Sequence, residues 1–377
     1  MRRIYLDYNA STPIDPAVAA AMMPFIENHY GNPSSGHWAA TSAKACLEAA
    51  RAQVAALLGC HHDEIIFTSG GSEANNLALK GVFFARRDKR DHIITTRIEH
   101  PTILAPCRFL ERLGARVTYL PVDHTGRVSP DDVRRAITPS TMLVSIMHAN
   151  NEVGTLEPIR EIADMVRGQG ALMHTDAAQS IGKIPVQVDD LNVDLLSVAG
   201  HKLYAPKGVG VLYIRRGVKL EPFIHGAGHE SGRRAGTENV PYLVALGKAC
   251  ELAKISLSQA TEKLRFLRDR LWEKLRSGLG ERVTLNGHPD LRLPNTLNVN
   301  FAGHAGADVL EHVPEIAAST GSACHAGHVT LSPVLKAMGV SPQLGRGAVR
   351  LSVGRFTTEV EIDRAAAALI VQGMKER

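Results

Sequence analysis

The segments His174-Thr-Asp-Ala-Ala-Gln179 and Ser197-Val-Ala-Gly-His-Lys202 follow two apolar runs, Gly170-Ala-Leu-Met173 and Val193-Asp-Leu-Leu196. A short apolar run that breaks off into polar groups is the pattern of a buried parallel strand. Such a strand delivers side chains at its C-terminal end, where ligands sit in open α/β sheets. Working outward, strand-like runs recur at Glu64-Ile-Ile-Phe67, His92-Ile-Ile-Thr95, Val117-Thr-Tyr-Leu120, Leu143-Val-Ser-Ile-Met147 and Gly210-Val-Leu-Tyr-Ile214. Helical patterns fall between many of them, at Ala43 to Leu58, Thr102 to Leu113 and Pro158 to Arg167. This alternation predicts an α/β fold with a mainly parallel seven-stranded sheet and helices on both faces. From Pro241 to about Leu279 the pattern becomes one long helical tract, the expected bridge into a smaller α+β C-terminal lobe. Short strands at Thr296 to Phe301 and Val349 to Ser352 follow, then a terminal helix signalled by Thr358-Glu359.

A chain of 377 residues, 44% hydrophobic, can bury a sizeable core and exceeds one average domain. The formal charge of +5 comes from 43 Lys and Arg interleaved with 38 Asp and Glu. The densest basic patch, Arg86-Arg-Asp-Lys-Arg90, reads as a solvated helix end, and direct nucleic-acid binding is not expected. Five widely spaced cysteines without a Cys-x-x-Cys argue against a disulfide framework or a zinc ribbon and for a reducing compartment. No uncharged run approaches the ~20 residues a membrane helix needs. The expectation is a cytoplasmic protein without a membrane span.

Thr68-Ser-Gly-Gly-Ser72-Glu-Ala-Asn-Asn-Leu77 follows a strand and opens a helix, so its backbone N–H groups and helix dipole suit a phosphate. Alone this is an ordinary α/β turn; upstream of Asp176 and Lys202 it becomes a candidate phosphate cradle. An Asp, a Gln, a His and a Lys at neighbouring strand ends suit pyridoxal phosphate (PLP). The lysine forms a Schiff base with the cofactor, and the acid keeps the pyridine nitrogen protonated so that the ring is an electron sink. For either segment by itself, a lysine snorkelling beside an ordinary strand is the plainer reading. Both in this order, followed by Lys207-Gly-Val-Gly210, favour the cofactor site. His100, in Glu99-His-Pro101, can stack on an aromatic ring and handle protons near neutral pH. The Asn150-Asn151 pair offers hydrogen bonds at another strand end. Cys324 lies in Ala317-Ala-Ser-Thr-Gly-Ser-Ala-Cys-His-Ala-Gly327, a small-residue segment with His325 and His328 beside it, where a nucleophilic thiolate would be favoured. Cys46, Cys60, Cys107 and Cys250 lie in helical tracts or at their ends and read as structural. Arg350, alone in a strand-like run, suits a carboxylate fork, with a structural ion pair as the alternative.

These motifs, with Tyr5-Leu-Asp-Tyr-Asn-Ala-Ser-Thr-Pro13, Tyr30-Gly-Asn-Pro-Ser-Ser35, Arg233-Arg-Ala-Gly-Thr-Glu-Asn239, Leu293-Pro-Asn-Thr-Leu-Asn298 and Gly354-Arg-Phe-Thr-Thr-Glu359, resemble the cysteine desulfurases of the NifS/IscS type. These are fold type I PLP enzymes of the class V aminotransferase family, and the likeness spans nearly the whole chain. It implies a large PLP-binding domain over residues 14–250 and a small domain, residues 1–13 with 251–377, carrying the catalytic cysteine. It further implies that Lys202 holds PLP, Asp176 pairs with the pyridine nitrogen, Gln179 meets the ring hydroxyl and His100 stacks on the ring. Asn151 would contact cofactor and substrate. Gly71, Ser72 and His201 would bind the phosphate, joined by Thr237 from the second subunit of a homodimer. Arg350 would grip the substrate carboxylate and Cys324 would accept the sulfur.

Three departures modify that expectation. Ala199 stands where the family often has a serine, removing a phosphate contact worth roughly 0.5–1.5 kcal/mol. The sequence stops at Arg377, where longer members carry a segment that docks the iron–sulfur scaffold, so the resemblance does not carry that partnership. The Cys324-His325 loop and the non-serine at 199 also resemble selenocysteine lyase. The expected activity is conversion of L-cysteine to L-alanine, with sulfur held as a persulfide on Cys324 and delivered to an unidentified acceptor protein. Selenocysteine lyase is the alternative, and a non-catalytic sulfur-relay scaffold the more distant one.

Overall fold

The computed structural model describes residues 3–320, 324–325, 328–329 and 331–375. Its strands are β1 (Ile4–Tyr5), β2 (Ile65–Thr68), β3 (His92–Thr96), β4 (Arg116–Leu120), β5 (Thr141–Ser145), β6 (Leu172–Asp176), β7 (Leu195–Ala199), β8 (Gly210–Ile214), β9 (Val283–Asn286), β10 (Thr296–Phe301), β11 (Ile316–Ala317), β12 (Ser319–Thr320), β13 (Cys324–His325), β14 (His328–Val329) and β15 (Ala348–Ser352). Seven form one sheet in the order β2-β8-β7-β6-β5-β3-β4. β8 runs antiparallel to both neighbours, while the contacts among β7, β6, β5, β3 and β4 are parallel.

Alternate residues of these strands feed two cores. Ile65, Phe67, Val144, Met173, Leu196 and Val198 join the core under the Trp38–Leu58 helix and the first part of the Val240–Leu279 helix. Ile66, Leu143, Leu172 and Leu195 pack on the opposite face with Ala74, Leu77, Ile103 and Leu110 of the Gly71–Arg86 and Pro101–Glu111 helices. A sheet covered on both faces needs apolar residues at both strand parities, which is why β6 opens on Leu172-Met173 and β7 on Leu195-Leu196, each pair apolar on both faces.

The long helix serves two cores in succession. Leu243, Leu246 and Cys250 face the large sheet. Leu264, Leu267, Leu271, Leu275 and Leu279, at helical spacing, cover a second sheet ordered β12-β15-β10-β9. That sheet is antiparallel throughout. The chain start returns to this part of the molecule: β1 pairs parallel with β11, and Ile4 and Leu6 enter the second core. The terminal helix, Glu359–Gly373, starts at the expected place and carries a capping box, with Thr358 and Glu361 each bonding the other's backbone N–H.

β7 differs from its sequence expectation in an informative way. It continues through Ser197 to Ala199 instead of ending at Leu196. The Ser197 hydroxyl is buried against His174 Nε2 at 3.0 Å, and His174 Nδ1 meets Ser145 Oγ at 2.8 Å. A chain of satisfied polar groups anchored on Ser145 of β5 therefore lets β6 and β7 continue where hydropathy alone stops them.

Candidate active site

A cavity of about 400 Å³ opens at the C-terminal ends of β3, β5, β6 and β7. Its wall includes Gly71, Ser72, His100, Asn151, Asp176, Gln179, His201, Lys202 and Arg350, so nine residues singled out from the sequence meet there. Asn9, Ala10, Asn75 and Thr102, which the sequence reading had not assigned, share that wall.

Asp176 ends β6. Its Oδ2 accepts from Asn75 Nδ2 at 2.7 Å and its Oδ1 from the Ala178 amide at 2.9 Å. Both donors are neutral, so the geometry of the carboxylate is fixed without a counter-charge from them. Asn75 also donates to Thr102 Oγ1 at 2.8 Å, and Thr102 Oγ1 lies 2.9 Å from His100 Nδ1. The Thr102 amide donates to the same Nδ1 at 3.3 Å, which leaves the ring proton on Nε2. Desolvation at the cavity wall and the charge of Lys202 lower the His100 pKa against the opposing pull of Asp176, so a neutral imidazole is favoured.

Lys202 ends the 3₁₀ turn Gly200–Lys202 that follows β7. Its Nζ donates to the carbonyl of Asn9 and, at 2.8 Å, to that of Ala10. Desolvation first, then the charge of Arg350, pushes its pKa down to about 8, while Asp176 and Asp7 oppose the shift. An amine in this range is freed near neutral pH, as Schiff-base and proton-transfer chemistry requires. His201 is pushed down to about 4, mainly by desolvation and then by Lys202, and is neutral at pH 7. Its Nδ1 lies 3.3 Å from Ser11 Oγ.

Gly71 and Ser72 form the first turn of a 16-residue helix, whose leading amides lack helical acceptors. A Cβ added at Gly71 would sit 3.2 Å from the Ala199 side chain. Small residues therefore face each other where a phosphate would approach the helix end.

Arg350 approaches from β15 and is already engaged. Nη2 donates to Asp7 Oδ1 at 2.8 Å and Ser319 Oγ at 3.0 Å, and Nη1 donates to the Asn151 carbonyl at 3.0 Å. Nε is buried without a partner among the described residues. The Asn9 side chain joins the same crossing, donating to the Asn151 carbonyl at 3.2 Å and Thr296 Oγ1 at 2.8 Å.

Two expected residues are not placed in the cavity. Thr237 borders a separate cleft of about 150 Å³ with Ser69, Gly208 and Arg234. For Cys324, the backbone pairs with Val329 across the β13–β14 hairpin, and its side chain lies outside the described residues. The other four cysteines remain structural: Cys107 and Cys250 are buried, Cys46 and Cys60 half-buried. Burial pushes the Cys60, Cys107 and Cys250 thiols up to about 12, far from a reactive thiolate.

Residues 4–365 match the family model described as aminotransferase class-V. The chain is 47% identical over 364 residues to a protein named cysteine desulfurase IscS from Dictyoglomus turgidum, covering 96% of this chain and 92% of the relative. The chain belongs to the class-V aminotransferase family and, within it, to the cysteine desulfurases. A solved NifS-like protein superposes with a TM-score of 0.92 at 38% identity, covering 98% of each chain. SspA, solved in complex with cysteine, matches with a TM-score of 0.83 at 39% identity over 94% of this chain and 100% of its own. As a member of this family the protein is a PLP-dependent cysteine desulfurase. The cavity fits that cofactor on its own chemistry. Among the described residues Asp176 is held by neutral donors and Asn75 Oδ1 is buried without a partner, and a helix N-terminus free of side-chain bulk stands beside a lysine of depressed pKa.

Proposed function

We propose that the protein removes sulfur from L-cysteine, yielding L-alanine and a persulfide on Cys324, and that it works as a homodimer. The observation that carries this reading is the meeting of Lys202, Asp176 and Arg350 in one cavity. They supply an amine, an acid and a carboxylate fork, the set that an amino-acid substrate and a pyridine cofactor need.

Lys202 would hold the cofactor covalently, Asp176 would face its pyridine nitrogen, and His100 would stack on its ring. Gln179 would meet the ring hydroxyl, and Asn151 both cofactor and substrate. Gly71, Ser72 and His201 would take the phosphate, with Thr237 arriving from the second subunit. Bound there, PLP supplies an electron sink for charge developed at the substrate Cα. Arg350 orients the substrate carboxylate, and Lys202, once released from its covalent role, takes the Cα proton. The Cys324 thiolate then takes the substrate sulfur: a bond between the two sulfurs forms as the substrate Cβ–S bond breaks. The electron pair stays with the carbon skeleton, which is protonated to alanine. Cysteine plus thiol thus gives alanine plus persulfide, and no external oxidant or reductant is required.

The proposed division places residues 14–250 in a large domain and 1–13 with 251–377 in a small one. The β1–β11 pairing and the entry of Ile4 and Leu6 into the second core support it. Thr237, standing away from this chain's own cavity, is compatible with completion of a partner's site. A cytoplasmic location is supported by the scattered cysteine pattern. Among the described residues no helix is long and apolar enough to cross a membrane. The sulfur acceptor is proposed to be a separate protein.

The deciding experiment incubates wild type and Cys324→Ser with L-cysteine and quantifies alanine and protein-bound sulfur. Wild type should yield them in equal amounts in a single turnover, and Cys324→Ser should yield neither while still binding PLP. Undiminished alanine from the serine variant would remove Cys324 from the reaction.

A further inference from the structure

Among the described residues no carboxylate pairs with Lys183, a lysine only 6% exposed. A buried amine needs acceptors, and Lys183 finds both in one residue. Its Nζ donates to the Gln179 main-chain carbonyl at 2.9 Å and to Gln179 Oε1 at 3.1 Å. The turn that follows β6 sets this spacing. The Ser180 and Ile181 amides bond to the Ala177 carbonyl, the Lys183 amide bonds to the Ser180 carbonyl, and Gly182 adopts φ +71°. The long helix holds the turn from outside, where Thr261 Oγ1 donates to the Lys183 carbonyl at 2.7 Å.

This arrangement matters because Gln179 borders the cavity. The two ends of a glutamine amide have nearly the same size, so packing alone does not choose which one faces a ligand. Lys183 does choose. As an ammonium it has only N–H groups to offer; it directs them at both oxygens and so fixes Oε1 on itself. Nε2 is then turned to the other side, where it donates to the Asn9 carbonyl at 3.0 Å. Lys202 Nζ donates to that same carbonyl, so the amide edge lies next to the reactive lysine.

We propose that Lys183 is a positioning residue of the cofactor site: it locks the Gln179 amide so that Gln179 offers a donor, and not an acceptor, to the ring hydroxyl of PLP. This rests on the reading that Gln179 meets that hydroxyl. A purely structural Lys183 would staple the turn through the main-chain carbonyl alone and leave the cofactor's environment unchanged.

A double-mutant cycle separates the two. The full-length protein, stripped of cofactor, is titrated with PLP, and both the dissociation constant and the wavelength of the bound cofactor's visible band are read. Gln179→Ala and Lys183→Met should each weaken PLP about three- to tenfold, the scale of one lost hydrogen bond, and each should displace the band. Because Lys183 acts through Gln179, the double variant should bind no worse than Gln179→Ala alone. Additive losses, or an unmoved band in Lys183→Met, would overturn the inference while leaving the role of Gln179 intact. If Gln179→Ala changes neither quantity, the reading of Gln179 itself fails and the inference with it. Should Lys183→Met not fold, Gln179→Glu answers the same question with Lys183 in place. It presents only an acceptor to the cavity and should displace the band, and an unchanged band would again overturn the inference.

Discussion

The two ends of the cavity are built on opposite principles. At the Asp176 end, a carboxylate at the tip of a central strand is held by two neutral donors, neither of which brings a counter-charge. At the Arg350 end, the cation already has an anionic partner in Asp7 and shares that carboxylate with Ser319. The first end comes from adjacent elements of one sheet face. The second is assembled from Asp7, Asn151, Ser319 and Arg350, brought together from three distant parts of the chain. The contrast suits ligands of different permanence. A resident cofactor is served by a charge left waiting, whereas a substrate that must arrive and leave is served by a cation whose partner can be exchanged.

Lys202 lies between the two ends, and its loss should have the largest effect. Lys202→Ala should abolish covalent PLP attachment, read by borohydride reduction and peptide mapping; label on Lys207 or another lysine would refute the assignment. In the intact apo-protein, a pKa near 8 in place of an ordinary value near 10.4 raises the neutral fraction of this amine at pH 7 roughly 200-fold. The direction of the pH dependence follows: below pH 8 the amine is protonated and unreactive, and above it the amine is free. Covalent uptake of PLP at fixed concentration should therefore rise through about pH 8 and then level off. A rise centred above pH 10 would show that Lys202 is solvated in the working protein.

Asp176→Asn comes next and tests the waiting charge. The amide keeps the shape but cannot hold the pyridine nitrogen protonated, and breaking a buried charged contact costs about 3–5 kcal/mol. Turnover should fall at least 100-fold with secondary structure unchanged. A loss under tenfold would mean that the Asp176 charge is not what the cofactor uses.

The two ends also differed in how far the sequence disclosed them. Asp176 and Lys202 were legible because each follows an apolar run, and a parallel sheet turns such endings into neighbours. Asn75 was not singled out, although the signal was there: with Ala74, Leu77 and Ala78 it lies on the buried stripe of its helix, and a buried amide demands a partner. The direction of β8 could not be read, since a fully buried run looks the same running either way. Asp7 lay in a quoted motif, yet nothing local tells that it meets Arg350, 343 positions later. The distant crossing is a property of tertiary packing, and sequence periodicity carries no trace of it.

Arg350→Lys probes the substrate end at intermediate strength. Lysine keeps the charge and loses the planar fork, and charge-assisted hydrogen bonds contribute about 1.5–3 kcal/mol each. The expected result is a 10- to 100-fold fall in kcat/KM for L-cysteine, with PLP affinity within about twofold of wild type. An equal fall in PLP affinity would place Arg350 in the cofactor site and collapse the distinction between the two ends. The same assay with selenocysteine compares the two substrates, because specificity is a ratio of kcat/KM values; negligible cysteine turnover beside brisk selenocysteine cleavage would favour the lyase reading.

The smallest expected effect is also the most discriminating. In Asp7→Asn the side chain keeps its shape and an oxygen that can accept from Arg350 Nη2, while Ser319 and the Asn151 carbonyl continue to hold the guanidinium. Position is therefore retained and only the competing charge is lost. If Asp7 is the partner that substrate displaces, KM for L-cysteine should fall about two- to fivefold, the scale of a partly exposed ion pair. A second readout has the same origin. Asp7 raises the Lys202 pKa and Arg350 lowers it, so removing the Asp7 charge should move the pH midpoint of covalent PLP uptake downward from about 8. A raised KM with an unmoved midpoint would make Asp7 a strut for the arginine fork, and the exchangeable partner would have to be sought elsewhere.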